Sequence, residues 1–170
     1  MDDASVSLAA LILRVALGVV VFAHGWNHTF RGGRLPGVAR WFGSIGFRAP
    51  RLQAALASYT ELGAGVLLVV GLLTPLACAA VVGTMFVAFV ANHRKNGFFI
   101  FRPGEGYEYV LTLLLASVAL SALGAGELSV DDVVGFDVSG WGGLAIGAGL
   151  GLGSGAAVLA AFWRPIRPAA

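Results

Sequence analysis

Most of this chain is apolar, so the residues that could do chemistry stand out. In "VVVFAHGWNHTF" (residues 19–30) His24 and His28 lie four apart, Arg14 sits in "LILRVALG", and Glu61 sits in "SYTELGAG". Imidazoles one helical turn apart have the spacing of metal ligands, and His93, Glu105 or Glu108 could complete such a site. Neutral imidazoles and desolvated carboxylates are also the groups that exchange protons near neutral pH. A third reading leaves both histidines as polar residues at a membrane interface with nothing bound. Arg14 and Glu61 cannot be idle in the same way. A charged group at mid-membrane costs about 2.5–3.5 kcal/mol on insertion scales, so each needs a partner. At 100° per residue Arg14, Gly18, Val21, Gly25, His24 and His28 share one helix face, and Glu61 stacks over Gly65 on another. Arg14 and Glu61 could pair across a bundle. Each side chain leans toward the N-terminus of its own helix, however, and the resulting gap would need a water, Tyr59 or a ligand head group.

The elements that hold these residues follow from composition. Apolar residues make up 58% of the 170 and charged residues 12%, about half the usual charged share. Five apolar runs, roughly 7–28, 52–73, 75–92, 106–123 and 141–163, approach the ~20 residues needed to cross hydrocarbon as helix. The expectation is an all-α, polytopic transmembrane bundle. "LLTPLA" offers Thr74 as a helix N-cap followed by Pro75, so the second and third spans should be antiparallel neighbours. "PGVARWFGSIGF" in the first loop reads as an amphipathic interfacial helix, and Phe98, Phe99, Tyr107 and Tyr109 as an aromatic belt. The N-terminus lacks the basic stretch of a cleaved signal, so the first span is expected to be retained. Cys78 is the single cysteine, which excludes an internal disulfide or a C-x-x-C pair and suits a buried packing residue.

Charge sets the expected orientation. Arg14 aside, every basic residue falls in the first loop (Arg31, Arg34, Arg40, Arg48, Arg51), the third (Arg94, Lys95, Arg102) or after the last span (Arg164, Arg167). The opposite ends carry Asp2, Asp3, Glu127, Asp131, Asp132 and Asp137 and no base. The positive-inside rule then places the N-terminus outside and the C-terminus in the cytoplasm of a bacterial plasma membrane. With that orientation His24, His28, His93, Glu105, Glu108, Tyr59 and Glu61 converge on the cytoplasmic half, and a shared polar pocket of Arg14, His24, Tyr59, Glu61, His93 and Glu108 is expected. An apolar cleft there could take a quinone, with Arg14, Tyr59 or His24 donating to its carbonyls. Gly143, Gly147, Gly151 and Gly155 recur every four residues in the last span. That small-residue ridge reads as a helix contact, within the chain or with a second protomer. P-loop, G-x-G-x-x-G, G-x-S-x-G and metalloprotease motifs are absent, and a net charge of +2 gives no reason to expect nucleic acid.

The stretches "LILRVALGVVVFAHGWNHTF", "ELGAGVLLVVGLLTPLA" and "NHRKNGFFIFRPGEGYEYVLTLL" together resemble the DoxX family of small bacterial membrane proteins, most closely actinobacterial members, over residues 8 to about 130. The resemblance implies a four-helix membrane domain (1–130). The acidic loop, Gly-rich fifth span and basic tail (131–170) then form an extension. By motif position the matching residues are Arg14, His24, Glu61, His93 and Glu108, and His28 stands where many members have lysine. It further implies a subunit of a membrane oxidoreductase or oxidative-stress system, quinone-linked in a distant relative, with superoxide dismutase and a sulfurtransferase as partners and no cofactor of its own. A scaffold that recruits partners through its basic loops and a small proton-coupled transporter are the alternatives. Five helices are few for the latter.

Overall fold

The computed structural model describes residues 3–136 and 138–166. Among these the chain is helical, with α1 (Asp3–Phe30), α2 (Arg34–Ser44), α3 (Pro50–Val70), α4 (Thr74–Ala91), α5 (Glu108–Leu123), the single turn α6 (Val130–Val133) and a C-terminal helix, Gly140–Phe162. Four of them, α1, α3, α4 and the C-terminal helix, are long and apolar enough to cross a membrane. At 16 residues α5 runs about 24 Å and falls short of a ~30 Å hydrocarbon layer. It still completes the up-and-down order, lying between α4, α1 and the C-terminal helix. The expected interfacial helix forms as α2, one buried residue (Ala39) marking its inner side.

α4 is the central post. Ala77, Cys78, Val81 and Met85 are buried on it, against Leu17 and Val21 of α1, Leu68 of α3 and Leu113 and Leu120 of α5. Glycines set how near the other helices come. A methyl group on Gly25 would meet the Ser58 carbonyl and the Leu62 nitrogen at 2.8 Å, and one on Gly65 would strike Phe22 and the Gly18 carbonyl. α1 and α3 therefore touch backbone to backbone. The glycine ridge is filled by the chain itself, Gly143 and Gly147 lying on Ser121 of α5 and Gly151 and Gly155 on Val82, Gly83 and Phe86 of α4. The same helix contains a π turn at Ala145–Leu150.

The two ends of the bundle differ in charge as the loops suggested. Arg31, Arg48, Arg94, Lys95 and Arg164 are exposed at one end, and Glu127, Asp131 and Asp132 lie at the other. Asp2, Asp137 and Arg167, counted in the charge pattern, lie outside the described residues. At the basic end Phe47 bridges Trp163, Arg48 N–H donates to the Phe162 carbonyl (2.8 Å), Arg164 N–H donates to Gly46 (2.9 Å) and the Trp163 indole N–H donates to Ile45 (2.9 Å). The residues just after the C-terminal helix thereby clasp the α2–α3 linker.

At the acidic end the turn between α3 and α4 departs from the expected capping. Leu73, with φ 51°, holds the N-cap position, and Thr74 is the first helical residue. The free backbone donors of Leu73 and Thr74 instead go to the Asp131 carboxylate, at 2.6 and 2.8 Å. A side chain 57 residues downstream does what Thr74, already inside the first turn behind the left-handed Leu73, does not.

Candidate functional site

The basic half of the bundle encloses a cavity of about 540 Å³, within the range of small-ligand sites. α1 contributes Val21, His24, Asn27 and His28, and α3 contributes Gln53, Ala57, Thr60 and Glu61. α4 and α5 add Ala80, Thr84, Ala88, Tyr109 and Leu113, and Trp41 and Phe42 of α2 lie across the mouth. Asn92, His93 and Glu105 border it at the end of α4 and in the loop that follows.

Backbone packing explains the central contact. Because Gly25 lets α1 reach the Ser58–Leu62 backbone, His28, one turn on, arrives beside Glu61. His28 Nδ1 is 3.0 Å from Glu61 Oε2. The approach does not meet hydrogen-bond geometry, and neither atom has a hydrogen-bond partner among the described residues. Glu61 is only 4% exposed. A carboxylate this deep with an unmade bond is costly, since desolvation removes its water without replacement. The Nε2 of Gln53, itself 5% exposed, is likewise unpartnered and borders the same space.

A second pair completes the polar floor. The Tyr109 hydroxyl and His24 Nε2 are hydrogen-bonded at 2.9 Å, and the rings of His24 and His28 are 6.3 Å apart. The loop before α5 delivers Tyr109. Asn96 donates to the carbonyls of Asn92, Gly104 and Glu105, and the turn closes through Gly106 N–H to Phe99 and Tyr107 N–H to Gly97. His93 Nδ1–H donates to the Glu105 carbonyl at 2.9 Å, a partner that only accepts, so Nε2 is the acceptor of the neutral ring. The arrangement places groups that can donate or accept protons beside a mostly apolar chamber.

Several expected members lie elsewhere. Arg14 is fully buried at the acidic end, where its guanidinium donates to the carbonyls of Leu68, Val69, Ala125 and Leu128. It closes the C-terminus of α3 and holds the 124–129 loop. The cause is direction: α1 begins at the acidic end and α3 at the basic end, so side chains leaning toward their N-termini carry Arg14 and Glu61 apart. Tyr59 is 57% exposed on the outer face of α3, two residues and about 200° of helix rotation from Glu61. Glu108 is half-buried and does not border the cavity, where Glu105 and Tyr109 stand on either side of it. His24, Glu61 and His93 do border it. His24 and His28 engage different partners, and no group of three His, Cys, Asp or Glu among the described residues is placed to hold a metal.

Gln53, Tyr109 and the α2 aromatics were not legible as cavity residues. Gln53 had one signal, being the chain's single glutamine inside an apolar run eight residues before Glu61. Tyr109 had none beyond its place after "YE", where a belt aromatic fits equally well.

The model of the DoxX family matches residues 9–94. A relative from Bacillus subtilis (strain 168), named "Putative oxidoreductase CatD", is 32% identical over 130 residues, 76% of this chain and 90% of that protein. The chain belongs to the DoxX family. The family match runs from α1 through α4 to Arg94, so it carries His24, His28, Gln53, Glu61 and His93, while Tyr109 and the C-terminal helix lie beyond it. No solved structure matches the chain.

Proposed function

We propose that this DoxX protein is the membrane-embedded, ligand-binding subunit of an oxidoreductase system, and that its cavity takes a quinone or a similar redox-active ring. The observation that carries the reading is the Glu61–His28 contact, 3.0 Å long but without a hydrogen bond, beside Tyr109–His24 in a mostly apolar chamber. A quinone reduced by two electrons must gain two protons, and these four side chains are within reach of one ring. The Glu61–His28 pair would pass on one proton, and the Tyr109–His24 pair the other. The electrons come from a separate redox partner, for which the family resemblance suggests a superoxide dismutase and sulfurtransferase assembly. The basic end faces the cytoplasm of the bacterial plasma membrane, with the N-terminus outside. The name of the Bacillus relative supports the oxidoreductase part of this reading.

Trp41 at the cavity mouth provides the probe. Protein in lipid nanodiscs should show saturable quenching of Trp41 fluorescence by a naphthoquinone, lost in the Trp41→Phe control signal and weakened in Glu61→Gln. Unsaturable quenching, or a Glu61→Gln titration identical to wild type together with full peroxide resistance in a deletion strain, would overturn the reading.

One observation favours a second role. The arginines of the first loop, Arg31, Arg34, Arg40, Arg48 and Arg51, are all exposed at the same end as the cavity mouth, as a docking face for an acidic soluble partner would require. Glutamate at Arg31, Arg34 and Arg40 should abolish co-purification of such a partner and leave quinone quenching intact.

A further inference from the structure

Between Thr74 and Met85, only Leu76, Ala80 and Thr84 of α4 are not buried. Their spacing of four makes a single stripe down the helix. α3 and the C-terminal helix both pack against α4 and hardly at all against each other, so the stripe is the floor of a trough between them. Ala80 and Thr84 border the cavity, joined by Leu56 from the α3 wall and Val158 from the C-terminal wall. The trough is thus continuous with the site. Its polar end holds two buried side chains with a polar atom that lacks a hydrogen bond among the described residues, Glu61, which lies 3.0 Å from His28, and Gln53, each more than nine-tenths buried.

We infer that this trough is a lateral binding groove for the apolar tail of a membrane-dissolved ligand whose oxygen-bearing head group reaches Glu61 and Gln53. The inference rests on the quinone reading above and deepens it by naming a tailed, lipid-borne ligand that enters from the side. A soluble ligand arriving at the basic mouth would have no use for an open trough within the apolar span. The groove wall built by the C-terminal helix lies outside the residues matched by the family model. Surrounding lipid is as apolar as the groove, so the tail gains little affinity there. What the groove decides is entry and orientation, and the readout must be steric exclusion.

The test uses the full chain in nanodiscs and two probes, a naphthoquinone without a side chain and the same ring with a multi-prenyl side chain, both followed by Trp41 quenching. Leu76→Trp and Leu76→Phe both fill the floor where it runs beyond the cavity lining, so misfolding of one variant leaves the other to decide. Both should weaken the prenylated probe by about tenfold or more, while the bare ring changes by less than about twofold. Glu61→Gln should weaken both probes. If Glu61→Gln weakens both and the groove variants spare both, or weaken both equally, the groove is wrong while the head-group site stands. If neither probe binds wild type, site and groove fall together.

Discussion

The acidic and basic ends of this bundle treat buried charge in opposite ways. At the acidic end Arg14 donates to four carbonyls, and Asp131 accepts from the two free donors at the start of α4. These groups sit where helices end and loops begin, and their bonds are spent on the fold. At the basic end Glu61 and Gln53 are buried and His28 half-buried around a chamber, each with a polar atom that lacks a hydrogen bond among the described residues. Such a group destabilises the empty protein unless something arrives to meet it. An ionisable residue inside a membrane segment is therefore not by itself a sign of function. Whether its bonds are already made is the better guide.

The contrast can be broken by substitution. The largest effect belongs to Arg14→Leu, which strands four carbonyls and leaves Asp131 without its nearby cation. About 3–5 kcal/mol of stability should be lost, seen as a steep fall in Tm and in the yield of folded protein, while ring binding by the folded remainder is unchanged. Gly25→Val comes next. Its side chain would push α1 off the Ser58–Leu62 backbone, at about 1–3 kcal/mol for overpacking. Because His28 moves with α1, this variant should also lose ligand binding, and a variant that lost stability alone would show that the His28–Glu61 contact does not matter. Tyr109→Phe is gentler. Removing one hydrogen bond to a half-exposed histidine should cost about 1 kcal/mol, yet reduce quinone-dependent turnover of the assembled system well beyond its effect on Tm.

How much of this was readable beforehand differs between the two ends as well. Apolar runs located each helix to within about four residues at its ends: the run 75–92 becomes Thr74–Ala91 and 141–163 becomes Gly140–Phe162, while 7–28 lengthens to Asp3–Phe30 and 52–73 shifts to Pro50–Val70. The basic loops collected at one end as their spacing required. Run length gave no warning that α5 is too short for an ordinary span, because the polar turn through Gly106 and Tyr107 consumes the residues before Glu108. Arg14 was misplaced for a reason that the helix directions already contained: α1 and α3 run oppositely, so their long side chains part. Asp131 as the cap of α4 was out of reach, because nothing local links residue 131 to residues 73 and 74. His24 and Glu61 were found from cost and spacing. Tyr109 and Tyr59 exchanged roles, because a position or two along a helix turns a side chain through 100–200°, and apolar neighbours on all sides hide which face is inward.

The central claim is that Glu61 is held for a ligand and not for the fold. Its most direct test is the Tm of Glu61→Gln measured beside its quinone binding, in the same nanodiscs. A neutral amide escapes most of the burial cost of the carboxylate, so the Tm should stay level or rise while binding falls. A Tm that drops as far as that of Arg14→Leu, with binding intact, would make Glu61 a structural residue and contradict the account.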